Sequence, residues 1–330
     1  MSKPKKIKDT QYICLGAILR AKEAKLLTWA QIDRMLSERE FSDACRIAAE
    51  GGYEDMSCMD VNGVNDALAR FRALQVAELN DLVPDFAVLD LFRMKYGYHN
   101  AKVIVKSRGD VEKNRYLLSD SARFSEEELL EVYQSEDGDG NLPHGYAAAI
   151  REARNALAKT GNPQISDFIL DRAFFSELLK EAAKSNKPYI ANYVRMQIDQ
   201  ANLRSLIRTK GMPRQEELLR GALIEGGSIS PEEILAALGS GHEQVVALYS
   251  GTEFRKAVDE ADLSMFEKEA DNAMHDYVLR VNMITYGPEV IIEYLSALEH
   301  EITTLRIVLT GKLMGIPEEK LRERLRDRYV

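Results

Sequence analysis

A long amphipathic helix is predicted three times at the same interval, and this repeat constrains the fold more than any other feature. The basic residues that mark the three copies are 102 residues apart: Lys102, Arg204 and Arg306. Around each of them, mostly apolar residues at −15, −11, −8, −4, −1 and +3 alternate in spacing between four and three, which is typical of one helix face. The residues at −2 are Asn100, Asn202 and Thr304. We call these three predicted elements the seam helices.

Proline precedes each seam helix, and short capped helices alternate with the seam helices along the chain. Pro84, Pro188 and Pro288 stand where a fixed φ and a missing N–H do no harm. Three further segments carry a Ser or Thr followed three residues later by Glu or Gln, which predicts a capping box at a helix start. Their cap residues are Thr28, Ser125 and Ser230, and Pro317 opens a similar segment after the last copy.

Composition agrees with an all-α fold. Gly and Pro number 20 and 9, and short alternating runs of β-branched residues are missing. We expect a single all-helical subunit over 1–330, a funnel-like body of three pseudo-symmetric helical lobes. The pseudo-repeats would cover roughly 10–115, 116–215 and 216–330, and Ser135 to Gly145 is the predicted loop.

Charge and hydropathy exclude several classes of protein. The net charge of −9 argues against nucleic-acid binding. No stretch approaches the 18 or more apolar residues that span a bilayer. Three cysteines without Cys-x-x-Cys spacing predict reduced, buried thiols rather than disulfides.

No catalytic, cofactor or metal site is expected. Asp137, Asp139 and Asn141 begin like a calcium loop, but Leu142 replaces the required glycine and Ala148 the bidentate glutamate. None of the five histidines is paired with another at metal-ligand spacing. Residues 299–301, Glu-His-Glu, fall on different helix faces and cannot form one chelate.

The three marker residues Lys102, Arg204 and Arg306 have two interpretations. As an interface, they would line a shared concave surface and contact an acidic partner. As internal contacts, each would pair with a carboxylate on an adjacent helix and fix the register. The second interpretation is favoured, because flanking charges in helical proteins usually form such pairs.

Both ends of the chain resemble one family. The segment from Glu293 to Leu325, and the segment from Tyr12 to Trp29 with Arg20 and Glu23, are similar to the C subunit of V-type and archaeal-type rotary ATPases. The eukaryotic counterpart is the d subunit of the vacuolar ATPase. This sequence departs from the pattern in its first repeat, which has lysine for arginine at the marker position.

The resemblance implies a function. Members are non-catalytic, funnel-shaped rotor proteins at the cytoplasmic face of the membrane. They connect the central shaft, made of the D and F subunits, to the membrane rotor ring of proteolipid subunits, and ATP-linked transport of H⁺ or Na⁺ depends on this connection. Two alternatives are a helical adaptor unrelated to ATPases and a helical-bundle metal enzyme.

Overall fold

The structure, a computed structural model, describes residues 7–84, 86–259 and 263–326. It is all-α as predicted, with no β-strand in those ranges. The α-helices are α1 (Ile13–Glu23), α2 (Trp29–Ser37), α3 (Phe41–Glu50), α4 (Val61–Asn80), α5 (Phe86–Lys106), α6 (Glu126–Gln134), α7 (His144–Thr160), α8 (Pro163–Lys184), α9 (Pro188–Thr209), α10 (Gln215–Ala222), α11 (Pro231–Ser240), α12 (His242–Tyr249), α13 (Leu263–Val278), α14 (Glu289–Leu313) and α15 (Glu318–Arg324). Short 3₁₀ turns cover Asp9–Tyr12, Glu112–Leu117, Ala257–Asp259 and Leu279–Met283.

The three seam helices are confirmed as α5, α9 and α14. Pro188 is the first residue of α9 and Pro288 is the N-cap of α14, positions where the missing N–H costs no intrahelical bond. All six seam positions of α14 are buried, and Leu298 and Leu305 are 1% and 0% exposed. No residue of α14 is exposed, and the helix packs on α1, α3 and α4.

The capped helices are also confirmed. The hydroxyls of Thr28, Ser125 and Ser230 each accept a hydrogen bond from the backbone N–H three residues on. The Gln or Glu side chain at that position accepts a hydrogen bond from the backbone N–H of the cap residue. Pro317 caps α15 without a side-chain bond. Local signals were sufficient here because both partners of a capping box lie within four residues.

The chain forms two compact units. The first unit contains Met1–Leu89 and Asp271–Val330, and the second contains Asp90–Ala270. In the first unit α14 packs against α1 and α4, while α2 packs on α3. In the second unit α7 packs on α8, α8 on α9, and α11 on α12. The three predicted pseudo-repeats remain a prediction.

The expectation of buried cysteines was wrong in part. Cys45 is buried, but Cys14 and Cys58 are exposed, so the expectation of buried thiols holds for only one cysteine. The segment between α6 and α7 is a loop as predicted, but it is held in place, because the Asp139 carboxylate contacts Arg151 Nη2 at 2.8 Å and His144 Nδ1 at 2.7 Å. These hydrogen bonds lower the pKa of Asp139.

No helix in the described ranges is long and apolar enough to cross a bilayer.

Candidate functional site: one contact set that occurs three times

The asparagine at −2 clamps the loop that leads into a capped helix. Asn100 Nδ2 donates to Ser119 O at 3.0 Å, and its Oδ1 accepts from Ser119 N at 2.8 Å. Asn202 makes the same pair of bonds with Ile224, both at 2.8 Å. Each clamped residue lies six positions before the cap serine of α6 or α11. The side-chain amide thus satisfies one backbone donor and one acceptor in two equivalent loops.

In the third copy the residue at −2 is too short to clamp a loop. Thr304 is buried and lines a cavity of about 40 Å³, together with Leu26, Leu27 and Trp29. These residues surround the start of α2. The polar contact to the loop before α2 is made instead by Glu301, one turn earlier on α14.

An acidic residue at −5 holds the residues just before the cap in two copies. Asp199 Oδ1 accepts from Ser228 N at 2.8 Å, two residues before Ser230. Glu301 Oε2 accepts from the N–H of Leu27, the residue before Thr28. Burial raises the pKa of both carboxyls, while the bonds from backbone N–H groups oppose that shift.

A buried tyrosine faces position −5 in each copy. Tyr53 OH donates to Glu301 Oε1 at 2.8 Å. Burial, followed by the negative charge of Asp199, raises the pKa of Tyr249. In the first copy position −5 is Gly97, where an added Cβ would lie 3.4 Å from Tyr146 OH. The tyrosine is therefore common to all three copies, whereas the acid is present in only two.

The three marker residues each contact a long helix. Lys102 Nζ lies 2.5 Å from Asp171 Oδ1 on α8, and Arg204 Nε lies 3.5 Å from Glu267 Oε1 on α13. Arg306 Nε donates to Asn65 Oδ1 on α4 at 3.0 Å. All three contacts are internal to the chain. Burial and nearby Arg72 lower the pKa of Arg306, although nearby Glu299 opposes them.

We define a contact set as a seam helix, the loop that it holds, the capped helix that follows this loop, the tyrosine that faces position −5, and the long helix that contacts the marker residue. The first set follows the chain from α5 through α6 and Tyr146 to α8, and the second from α9 through α11 and Tyr249 to α13. The third set begins at α14 near the C-terminus and continues at the N-terminus with α2, Tyr53 and α4. Its elements follow the same order as those of the other two sets if the chain is treated as circular, so that α14 comes before α2.

The acidic and tyrosine positions were not predicted from the sequence, although a signal existed. Aligning the copies on the basic residue places Asp199 and Glu301 in register at −5. The substitution of Gly97 in the first copy hid this pattern. The tyrosines lie at unequal distances from the caps, so only the folded structure reveals their equivalence.

No group of three or more metal-ligating side chains occurs among the residues that the structure describes. His275 and His300 stack with ring centroids 5.2 Å apart, a pairing between α13 and α14 that sequence spacing did not indicate. Burial, with the charges of His275 and Arg326, lowers the pKa of His300 to about 4. At neutral pH this imidazole is therefore uncharged.

The contacts described above define a class of protein, an α-helical scaffold whose buried polar groups hold its own loops. Comparison with known proteins identifies the family: the chain belongs to the ATP synthase (C/AC39) subunit family, whose model matches residues 15–324. Members of this family are structural, non-catalytic parts of V/A-type ATPases. The unrelated adaptor and the metal enzyme are thereby excluded.

Three relatives cover nearly all of the chain. The C subunit of the V-type sodium ATPase of Enterococcus hirae is 22% identical over 326 residues, 97% of this chain and 99% of its own. The C subunit of the V-type ATP synthase of Thermus thermophilus is 22% identical over 328 residues, 94% and 96% of the two chains. The C subunit of the A-type ATP synthase of Methanocaldococcus jannaschii is 23% identical over 343 residues, 95% and 86%.

Proposed function

We propose that this chain is the socket of a V/A-type ATPase rotor, which receives the central shaft formed by the D and F subunits and rests on the membrane ring of proteolipid subunits. Torque would pass through it between ATP chemistry and the transport of H⁺ or Na⁺. The family match supports the ATPase context. The observation that supports the socket is the contact set that occurs three times.

The order of the contact sets supports a closed body of three lobes. The long helix that ends each set is followed along the chain by the seam helix of another: α8 by α9, α13 by α14, and α4 by α5. The three sets are thus linked in a cycle, and the third set combines helices from both ends of the chain. Such a cycle is what we expect of a funnel with pseudo-threefold symmetry. A funnel of three lobes would contact a shaft tip on several sides and resist tilting under torque.

We further propose that Lys102, Arg204 and Arg306 stabilise the lobes rather than bind the shaft. Each already has a partner on a long helix of its own contact set. The net charge of −9 favours basic loops on the membrane ring as the opposing surface. Binding to the ring should then weaken as salt concentration rises. The complex would work at the cytoplasmic face of the membrane.

Binding measurements test the proposal. The purified chain is mixed separately with the D–F shaft complex and with the detergent-solubilised ring, and the complexes are separated by gel filtration at low and moderate salt. We expect a stoichiometric complex with each partner. Absence of binding to both partners would contradict the socket.

A variant with all three basic residues replaced by glutamine separates the two roles of these side chains. We expect lower stability but unchanged affinity for the shaft per folded molecule. Loss of shaft binding with intact helical circular dichroism would show that the basic residues form the interface instead. Glutamine at exposed Arg46, which pairs with Asp43 one turn away on α3, is the matched control.

A further inference from the structure

One arginine lies between two carboxylates where α1 meets α14. Arg20 Nη1 is 3.0 Å from Glu23 Oε2 and 2.8 Å from Glu293 Oε1. The Glu293 side chain is 1% exposed and that of Glu23 is 15% exposed. Since both carboxylate oxygens contact the same nitrogen, they are less than 6 Å apart. Two negative charges at this distance from each other and away from water repel strongly.

From this geometry we propose that Glu23 and Glu293 form a proton-binding site that holds one proton near neutral pH and so makes the attachment of α1 to α14 depend on pH. With both carboxyls ionised the three groups carry a net charge of −1. One proton makes the cluster neutral and converts a carboxylate pair into a donor and an acceptor. Two carboxyls that share a site in this way titrate as a pair.

The electrostatic surroundings agree with this assignment. Burial, followed by the charge of Glu293, raises the pKa of Glu23 to about 7, and Arg20 opposes both effects. Burial also raises the pKa of Glu293, again opposed by Arg20. On α4, Glu78 is paired with Lys22, so its charge is partly compensated.

The titratable and charged groups on the elements around the pair come from three helices. They are Arg20 and Lys22 on α1, Glu78 on α4, and Glu289, Tyr294 and Glu301 on α14. Asp9 in the 3₁₀ turn before α1, and Lys8 at the N-cap of this turn, lie at the opposite end of α1 from Glu23. Glu23 is the last residue of α1, immediately before the loop that Glu301 holds. The proton would therefore stabilise the third contact set.

The sign of the pH dependence follows from the raised pKa. An unfolded glutamate has a pKa near 4.3, so between about pH 5 and 7 the folded chain holds a proton that the unfolded chain has released. The stabilisation is complete below the unfolded pKa and is lost as pH rises through about 7. Within this window the equilibrium constant for unfolding should rise about tenfold per pH unit because of this site.

Denaturant unfolding between pH 5.5 and 8 tests the site, with fluorescence of Trp29, the single tryptophan, as the signal. We expect the ratio of unfolding constants of the unmodified chain and Glu23→Gln to change about tenfold per pH unit below pH 6.5 and to level off above pH 7. Taking the ratio removes titrations common to both chains, including that of His300. Glu78→Gln is the matched control and should follow the unmodified chain. Parallel curves for the unmodified chain and Glu23→Gln would overturn the proposal.

Carbon-13 NMR of labelled glutamate carboxyls in the unmodified chain provides a test that needs no stable Glu23 variant. We expect one carboxyl signal to titrate near pH 7. In Glu293→Gln that signal should move toward the ordinary glutamate range, because the repelling charge is gone. If every glutamate signal titrates below pH 5.5 in the unmodified chain, the site does not hold a proton at neutral pH. This proton site belongs to the chain alone, so its test does not depend on shaft or ring binding.

Discussion

The amide clamp on α9 should be a major source of stability in the second unit. Asn202 is fully buried, and its side chain makes two hydrogen bonds of 2.8 Å to the backbone of Ile224. Replacement by alanine leaves one backbone donor and one acceptor without partners. Each such buried group costs about 1–3 kcal/mol. We therefore expect Asn202→Ala to lower the free energy of unfolding by about 2–4 kcal/mol.

The assay is urea unfolding followed by far-UV circular dichroism, combined with hydrogen exchange. Asn192→Ala is the matched control, since Asn192 is an exposed asparagine on the same helix that accepts a hydrogen bond from Arg195. It should change stability by less than about 0.5 kcal/mol. The amide of Ile224 should lose protection in Asn202→Ala alone.

Two outcomes would refute this reasoning. Equal urea midpoints and slopes for Asn202→Ala and the unmodified chain would mean that the clamp contributes nothing. Unchanged protection of the Ile224 amide would mean that the loop is held by other contacts. Either result would also weaken the equivalence with Asn100, which rests on the same bonding pattern.

Four further substitutions, one of them a control, test the core of the first unit and the role of the tyrosines. Leu305→Ala and Leu298→Ala should each cost about 2–5 kcal/mol through lost burial and a new cavity, and unchanged urea midpoints would show that another face of α14 is packed. Tyr53→Phe should cost about 1–2 kcal/mol because Glu301 loses a hydrogen bond, as read from thermal unfolding. Tyr146→Phe is the control and should be near neutral, since its buried hydroxyl has no hydrogen-bond partner among the described residues; equal effects of the two would contradict the role of the acid at −5.

The helices and their starts could be predicted because their signals are local. A capping box needs residues three apart, and an amphipathic helix needs apolar residues at spacings of three and four. Thr28, Ser125 and Ser230 therefore mark helix starts correctly before any tertiary contact is known.

The contact sets could not be predicted in full because their partners are distant in sequence. Glu301 accepts a hydrogen bond from Leu27, which is 274 residues away in the sequence. If the repeat is read along the sequence alone, α14 is matched with α15, the capped helix that follows it, rather than with α2. The substitution of Gly97 for an acid removed the pattern from one copy of three. The raised pKa of Glu23 depends on its burial and on the nearby charge of Glu293. Local sequence determines neither of these.

The most direct test of the proposed function measures coupling in the whole machine. Membrane vesicles that hold the ATPase, either complete or lacking this chain, are compared for ATP hydrolysis and for ATP-driven ion uptake. We predict that removing the chain leaves hydrolysis by the soluble head but abolishes ion uptake, and that adding back the purified chain restores uptake. Normal ion pumping in its absence would contradict the claim that torque passes through it.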